Sequence, residues 1–348
     1  MQLVVHPLKL ALKKPFTIAH GTFHYREAVV VELRDSSYSG FGEATAISYY
    51  GKKLATFQAI LAEQRSFIER QTFDHPAEFW KVIHPVFKNH PFLLCALDVA
   101  AHDLWAKRLG LPLYQAWELP NTSLPTSNFT ISIGTIDEML AQMNDFPNPI
   151  YKIKLGTKED VAIIRGLRKQ SNAIFRVDAN CAWSVEETLA NAEAFVNLGV
   201  EFIEQPLSAD NWDGMKILYE KSPVPLIADE SCQTEWDIEK CHHHFHGVNI
   251  KLMKCGGFTP ALRMIEQAKS LHMKVMCGCM TESSIGISAI AHLAPLLDYV
   301  DMDGALLLAE DPAIGVLLNE GKIQFSKGNG IGAYLKAMSN EQWARYYE

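Results

Sequence analysis

Apolar and polar residues alternate along this chain in two different rhythms. Near the N-terminus, Leu3–Leu12 and Ala28–Arg34 alternate with the two-residue period of half-buried strands. Lys14-Pro15-Phe16-Thr17 between them reads as a loop, and Gly40-Phe41-Gly42-Glu43 reads as a turn. Apolar residues then return at helical spacing over Ala55–Arg70 and Pro91–Leu109, and Gly110 with Pro112 stops the second helix. This is the pattern of an α+β domain.

From about residue 124 short apolar segments alternate with helical ones. The predicted strands are Ser127–Ile133, Tyr151–Leu155, Ile174–Val177, Glu201–Ile203, Leu226–Ala228, Val248–Leu252, Lys274–Met276 and Tyr299–Met302. Helix-like stretches such as Val185–Leu198 and Pro260–Leu271 lie between them. Eight strands alternating with helices predict an α/β fold with a parallel barrel. A doubly wound open sheet is the competing arrangement, but no Gly-rich dinucleotide fingerprint follows any strand. The chain thus divides into an α+β region over 1–122, a barrel over 123–320 and a C-terminal segment, 321–348, expected to pack back on the first region.

Composition narrows the function classes. The chain has 348 residues, 48% of them hydrophobic, and a formal net charge of −8 with acids and bases interspersed. That balance argues for a packed globular protein and against a nucleic-acid surface. Seven cysteines, most in apolar stretches, and a start that lacks the layout of a signal peptide lead to the expectation of a reducing cytoplasm without disulfides. No apolar run approaches the ~20 residues of a membrane span.

The strongest chemical signal is a period. Lys152 and Lys154, Asp178, Glu204, Asp229, Lys254, Cys279, and Asp301 with Asp303 fall where successive strands should end, 24 to 26 residues apart. Active sites of such barrels lie at the C-terminal ends of the strands. One acid there could be a helix cap, but three successive acids flanked by lysines are hard to explain that way. Asp178, Glu204 and Asp229 offer oxygen donors without thiol or imidazole partners, a set suited to Mg²⁺, with Mn²⁺ as a substitute. Lys152 and Lys154 share one face of strand two, and Lys254 is expected to end strand six, diametrically opposite. Asp301 and Asp303 would face the acids across the mouth. They either meet a cationic ligand group or pair with barrel lysines or arginines.

These segments, Lys152-Ile153-Lys154, Asp178-Ala179-Asn180, Glu204-Gln205-Pro206, Asp229-Glu230-Ser231 and Lys251-Leu252-Met253-Lys254-Cys255-Gly256-Gly257, resemble the enolase superfamily and its muconate-lactonizing subgroup. Asp301-Met302-Asp303-Gly304 resembles the dipeptide epimerases within that subgroup. The resemblance implies a modified TIM-type (β/α)7β barrel under an α+β capping domain, with one Mg²⁺ per subunit held by Asp178, Glu204 and Asp229. It implies Lys154 and Lys254 as the two bases that remove and return an α-proton, and Lys152 as a partner of the substrate carboxylate; such sites pair a lysine base with Mg²⁺ that stabilises the ene-diolate. Lys152 and the cation would depress the pKa of Lys154. Thr130, Cys279 and Thr281 would contact the substrate, and Asp301 and Asp303 would hold its α-ammonium. The implied substrate is a dipeptide inverted at the α-carbon of its C-terminal residue, and a homo-oligomer is expected.

Relatives that act on Ala-Glu tend to carry an arginine in the first capping loop, where this chain aligns Gly21. A small or apolar second residue is therefore expected, as in Ala-Ala, including murein-type dipeptides with D-residues. Rival readings on the same scaffold are an L-Ala-D/L-Glu epimerase, an N-acylamino-acid racemase or an o-succinylbenzoate synthase. A barrel that binds metal and peptide without catalysis is a further one. Cys241-His242-His243-His244-Phe245-His246 could be read as a zinc site but precedes strand six, away from the mouth, and fits an exposed loop better. Cys277-Gly278-Cys279 fits packing and a tight turn. Glu43 and Glu230 could support the site or make ordinary hydrogen bonds, and Trp183 and Trp212 could cover the mouth.

Overall fold

The computed structural model describes residues 1–19 and 21–337. The expectation for the end of the C-terminal segment, residues 338–348, lies outside them. The N-terminal region is an antiparallel sheet, β1 (Gln2–Ile18), β2 (Gly21–Arg34) and β3 (Ser39–Thr45), in that order. Helices α1 (Leu54–Glu69), α2 (Pro76–Phe87) and α3 (Pro91–Leu109) follow, then the single turn α4 (Leu113–Ala116).

Two expectations are corrected here. Lys14-Pro15-Phe16-Thr17 is not a loop: after a register shift between Ala11 and Phe16, Phe16 pairs with Phe23 and the strands run on into a long hairpin. Gly40-Phe41-Gly42-Glu43 is not a turn but the middle of β3. Its glycines answer to packing, because a Cβ at Gly40 would meet the Ala100 carbonyl oxygen at 2.0 Å and one at Gly42 the Ala96 oxygen at 2.0 Å. Helix α3 therefore lies directly on the backbone of β3. It is buried all round and carries little amphipathic signal, as expected of a helix between two layers.

The second region is a parallel eight-stranded sheet: β4 (Phe129–Ile131), β5 (Ile150–Lys154), β6 (Ile174–Asp178), β7 (Val200–Glu204), β8 (Leu226–Ala228), β9 (Gly247–Ile250), β10 (Lys274–Gly278) and β11 (Tyr299–Asp301). The chain returns between strands through α5 (Ile136–Asp145), α6 (Asp160–Arg168), α7 (Val185–Asn197), α8 (Trp212–Lys221), α9 (Asp237–Cys241), α10 (Leu252–Cys255) with α11 (Phe258–Ser270), and α12 (Ser284–Leu293). A 3-10 turn, Gly304–Leu307, follows β11 in place of an eighth helix, so the architecture is a (β/α)7β barrel. The circle closes between β11 and the entry to β4 by one parallel bridge, Ser127 to Val300, and by side chains. Met302 N donates to Ser127 Oγ at 3.0 Å and Asn128 Nδ2 to Asp301 Oδ1 at 2.7 Å.

The two regions are joined by buried polar contacts. Glu43 on β3 accepts from Ser283 N, Ser283 Oγ and Gly286 N at the start of α12, an anionic partner at a helix N-terminus. Asp98 on α3 accepts from Thr259 N and Thr259 Oγ, both at 2.8 Å, at the start of α11. Beyond the barrel, β12 (Ala313–Ile314) pairs with β15 (Tyr334–Leu335), and β13 (Leu317–Asn319) with β14 (Lys322–Gln324). Leu113 N donates to Gly330 O at 2.7 Å and Ile331 N to Asp103 Oδ1 at 2.7 Å, so this stretch lies against α3 and α4. No helix among the described residues is long and apolar enough to cross a membrane.

The β3–α3 contact yields the first prediction. Gly42→Ala should force helix and strand apart and destabilise the fold by about 1–3 kcal/mol or more, the usual cost of overpacking. Urea unfolding measures it, and an unchanged midpoint would show that the helix does not rest on this backbone.

Candidate active site

Polar side chains gather at or just past the ends of the barrel strands. Asp178, Glu204 and Asp229 end or follow β6, β7 and β8, and all three are buried. One oxygen from each can be chosen so that all lie within 4.8 Å of one another. Carboxylates this close repel, and four lysines answer them. Lys152 Nζ lies 3.1 Å from Asp178, 2.8 Å from Glu204 and 2.9 Å from Asp301. Lys154 Nζ lies 2.6 Å from Asp178, Lys251 Nζ 2.8 Å from Asp229 and Lys254 Nζ 2.6 Å from Asp229.

Burial and charge compete at every one of these groups. Burial raises Asp178, but Lys154 and Lys152 outweigh it and hold the carboxyl at about 2. Burial likewise raises Asp229, and Lys251, Lys254 and Lys152 push it far below its ordinary value. Glu204 goes the other way, up to about 7, through burial and the neighbouring charges of Asp178 and Asp229. Burial lowers Lys152 and Lys251, yet the acids around them carry both well above the ordinary lysine value.

The residues fit a hard divalent cation. The donors are three buried carboxylate oxygens with no sulfur or imidazole among them. Glu204 Oε2 is near Lys152 but aligned with no hydrogen-bond donor, so a buried acceptor is left over, which ordinary folding would not leave.

Most of the expected substrate contacts come together. Thr130, Lys152, Lys154, Cys279, Thr281, Asp301 and Asp303 line one cavity with Asp229. Asp301 is not spare, because it pairs with Lys152 and Asn128. Asp303 accepts from Thr130 N and has no ion pair among the described residues. Burial and Asp301 raise it to about 7.

Lys254 is not on that wall. Strand β9 stops at Ile250, and Leu252–Cys255 wind into a helical turn ended by Gly256 at φ 96°. The turn carries Lys254 behind Asp229, where it also donates to the Asp229 and Asn249 carbonyl oxygens. Lys251, the first residue past the strand, takes the place in the cavity instead. The apolar pattern predicts a strand through Leu252, which leaves Lys251 inside the strand and out of the expected site. The phase of Asn249-Ile250-Lys251 was the available signal.

Five further residues line the wall, two from the barrel and three from the capping region. Asn180 Oδ1 accepts from Lys154 at 3.2 Å, and Asn180 Nδ2 donates to Glu230 Oε1 at 3.3 Å. Glu230, raised to about 8 by burial and by Asp229 and Asp178, keeps Oε2 without a partner. Arg26, Tyr49 and Tyr50 come from the capping region. Gly21 sits at the hairpin tip at φ 132° with open space around it, off the cavity wall. Trp183 is not a cover either: it is buried and donates to Asp160 at 2.7 Å. Trp212 packs edge-on to His244. The histidine run forms no cluster able to hold a metal among the described residues.

Comparison with known proteins matches these features. Residues 1–116 match the mandelate racemase / muconate lactonizing enzyme N-terminal domain, and residues 138–338 the enolase C-terminal domain-like family. An L-Ala-D/L-amino acid epimerase from Flavobacterium johnsoniae is 52% identical over 96% of this chain and 100% of its own. The L-Ala-D/L-Glu epimerase of Bacillus subtilis, solved with substrate, superposes with a TM-score of 0.92 at 26% identity, covering 97% of this chain and 99% of its own. A dipeptide epimerase from Cytophaga hutchinsonii, solved with Mg and D-Ala-L-Val, gives 0.91 at 26% identity, over 99% and 98%. The family match over both regions places the chain in the enolase superfamily, and its identity to curated epimerases places it, within that superfamily, among the dipeptide epimerases, which are isomerases.

Proposed function

We propose that this protein is a Mg²⁺-dependent two-base epimerase of Ala-Xaa dipeptides that inverts the α-carbon of the C-terminal residue. The observation that carries this reading is the placement of Lys154 and Lys251 at the ends of strands two and six of an eight-stranded barrel, on opposite sides of the carboxylate trio. Asp178, Glu204 and Asp229 hold the cation, and Mn²⁺ can replace it. When bound, the cation holds the substrate carboxylate and offsets the charge that builds there as the α-proton leaves. Lys152 is placed to bind the same carboxylate and its developing negative charge. One of Lys154 and Lys251 takes the α-proton, and the other returns a proton to the opposite face. Lys254, with its donors spent on Asp229 and Asn249, is a positioning residue that fixes Asp229.

At the other end, Asp303 faces the cavity without a cation of its own, and Asp301 lies beside it. An α-ammonium of the substrate fits there through charge-assisted hydrogen bonds. N-acylamino acids and succinylbenzoate precursors lack that group, which sets the racemase and synthase readings behind this one. Phe16, Ile18, Ile47 and Leu307 form an apolar stretch of wall that accepts a small or apolar Xaa such as Ala.

Three measurements test the assignment. Mg²⁺ should raise the melting temperature of chelator-treated protein by mass action. Glu204→Gln should fold yet lose that shift, whereas an unshifted wild type would remove the metal site. In D₂O, Lys154→Ala and Lys251→Ala should each abolish epimerisation while one enantiomer still exchanges its α-hydrogen. Normal epimerisation by Lys251→Ala would contradict the two-base scheme, and loss of epimerisation in Lys254→Met with one enantiomer still exchanging and metal affinity intact would return Lys254 to the chemistry. Acetylating Ala-Ala should lower kcat/KM by on the order of 10²-fold, since truncating a buried charge pair costs about 2–5 kcal/mol. An acetylated substrate that outperforms Ala-Ala would make the protein an acylamino-acid racemase.

A further inference from the structure

Where β10 and β11 end side by side, three ligand atoms of mixed chemistry come together. Gly278 pairs with Asp301, and Cys279 N donates to Asp301 O at 2.9 Å, so Cys279 leaves the sheet beside the two aspartates. One atom each of Cys279, Asp301 and Asp303, the sulfur and two carboxylate oxygens, can be chosen so that all lie within 4.8 Å of one another. All three residues line the cavity. No other cysteine stands in such a group among the described residues.

The charges at this corner do not cancel. Asp301 is matched by Lys152 at 2.9 Å and held by Asn128 at 2.7 Å. Asp303 is only 2% exposed, accepts from Thr130 and pairs with no cation among the described residues. A buried carboxylate without a countercharge is costly, so the corner calls for a cationic ligand. An ammonium supplies one charge and leaves the sulfur idle, because a thiol is a weak hydrogen-bond partner. A metal ion uses all three atoms. Sulfur beside carboxylate oxygens selects a borderline-soft cation such as Zn²⁺, whereas Mg²⁺ takes oxygen ligands.

The proton balance is simple. Burial and the two aspartates push the Cys279 thiol up, so without a metal it keeps its proton. A coordinating thiol is deprotonated outright: the S–H bond breaks, a sulfur–metal bond forms, and the proton leaves to solvent. The thiolate and Asp303 then set two negative charges against the two positive ones of the ion. Asp301 stays matched by Lys152 and adds a lone pair.

We infer that Cys279, Asp301 and Asp303 form a second metal site, different in chemistry from the acid trio, which takes a thiophilic divalent cation of the Zn²⁺ class and blocks the ammonium position when filled. The blocking rests on the dipeptide reading above; the site itself does not. Two cations thus act on one cavity in opposite directions. Mg²⁺ at Asp178, Glu204 and Asp229 supports turnover, and Zn²⁺ at Cys279 stops the substrate from seating.

The probe is Cd²⁺, whose bond to a thiolate gives an ultraviolet charge-transfer band that oxygen ligands do not give. With Mg²⁺ saturating, Cd²⁺ should produce that band in wild type. Cys279→Ala should lose it, and Asp303→Asn should weaken Cd²⁺ binding by about 10–100-fold or more, since even groups behind a metal ligand cost that much when removed. Both variants should keep the Mg²⁺-induced rise in melting temperature, which shows them folded with the acid trio intact. With free Zn²⁺ fixed by a metal buffer, wild type should show a raised KM for Ala-Ala at unchanged kcat, because cation and ammonium exclude one another at Asp303. Cys279→Ala, compared with its own zinc-free rate, should need about 10-fold more Zn²⁺ or above for the same effect. No band in wild type, or a band that survives Cys279→Ala, overturns the site. Zn²⁺ that lowers kcat at constant KM overturns the blocking. If wild type inverts no dipeptide with Mg²⁺, the epimerase reading falls, and the cadmium band by itself still decides the metal site.

Discussion

Three carboxylates that cannot be apart are the constraint around which the rest of this protein is arranged. The barrel brings Asp178, Glu204 and Asp229 together because three adjacent parallel strands end side by side. Their repulsion, in a buried setting, must be answered by positive charge. The chain places Lys152 and Lys154 on one flank and Lys251 and Lys254 on the other. Those lysines give the site its two-sided character. The same electrostatic balance that makes the cluster tolerable in the folded state sets amines on both faces of whatever occupies the centre.

The capping region is held to this centre by polar contacts of defined direction. Glu43 meets the start of α12 and Asp98 meets the start of α11, so each acid sits where helix N–H groups are unsatisfied. Apolar layers can slide over one another, but a carboxylate bonded to several N–H and O–H donors has one seat. Thr45, two residues beyond Glu43, donates to the Thr281 carbonyl at 3.3 Å. The wall formed by Ile47, Tyr49 and Tyr50 begins just after that seat, which fixes its height above the barrel.

Much of this is legible in the amino-acid sequence. The 25-residue beat of polar strand ends located the barrel and its mouth, since strand, helix and two loops occupy a nearly constant length. The acids were legible because three carboxylates in a row have few structural explanations. Legibility failed where a local pattern has two physical sources. Gly-Phe-Gly-Glu carries a turn's composition, yet Gly40 and Gly42 are there because α3 lies on them. Lys14-Pro15-Phe16 looks like a loop, yet the hairpin absorbs it through a register shift. Lys251 and Lys254 are three apart, and only knowing that β9 ends at Ile250 tells which of them reaches the cavity. Asp301 could equally have been free or paired, and it is paired. Arg26 borders the cavity because hairpin pairing, not its neighbours in sequence, carries it there.

Between β11 and β4 the backbone contributes a single bridge, and Ser127, Asn128 and Asp301 do the remaining joining. Asp301 also touches Lys152 and borders the cavity. On the proposed reading the amino end of the ligand would be met by groups that double as the clasp of the barrel, while the cap side of the cavity is lined by a hairpin that lies outside it. Selection can vary the hairpin without loosening the clasp. A family built this way would keep its grip on the peptide backbone constant as lineages diverge and let the side chain it prefers drift, which is a recipe for many substrates on one chemistry.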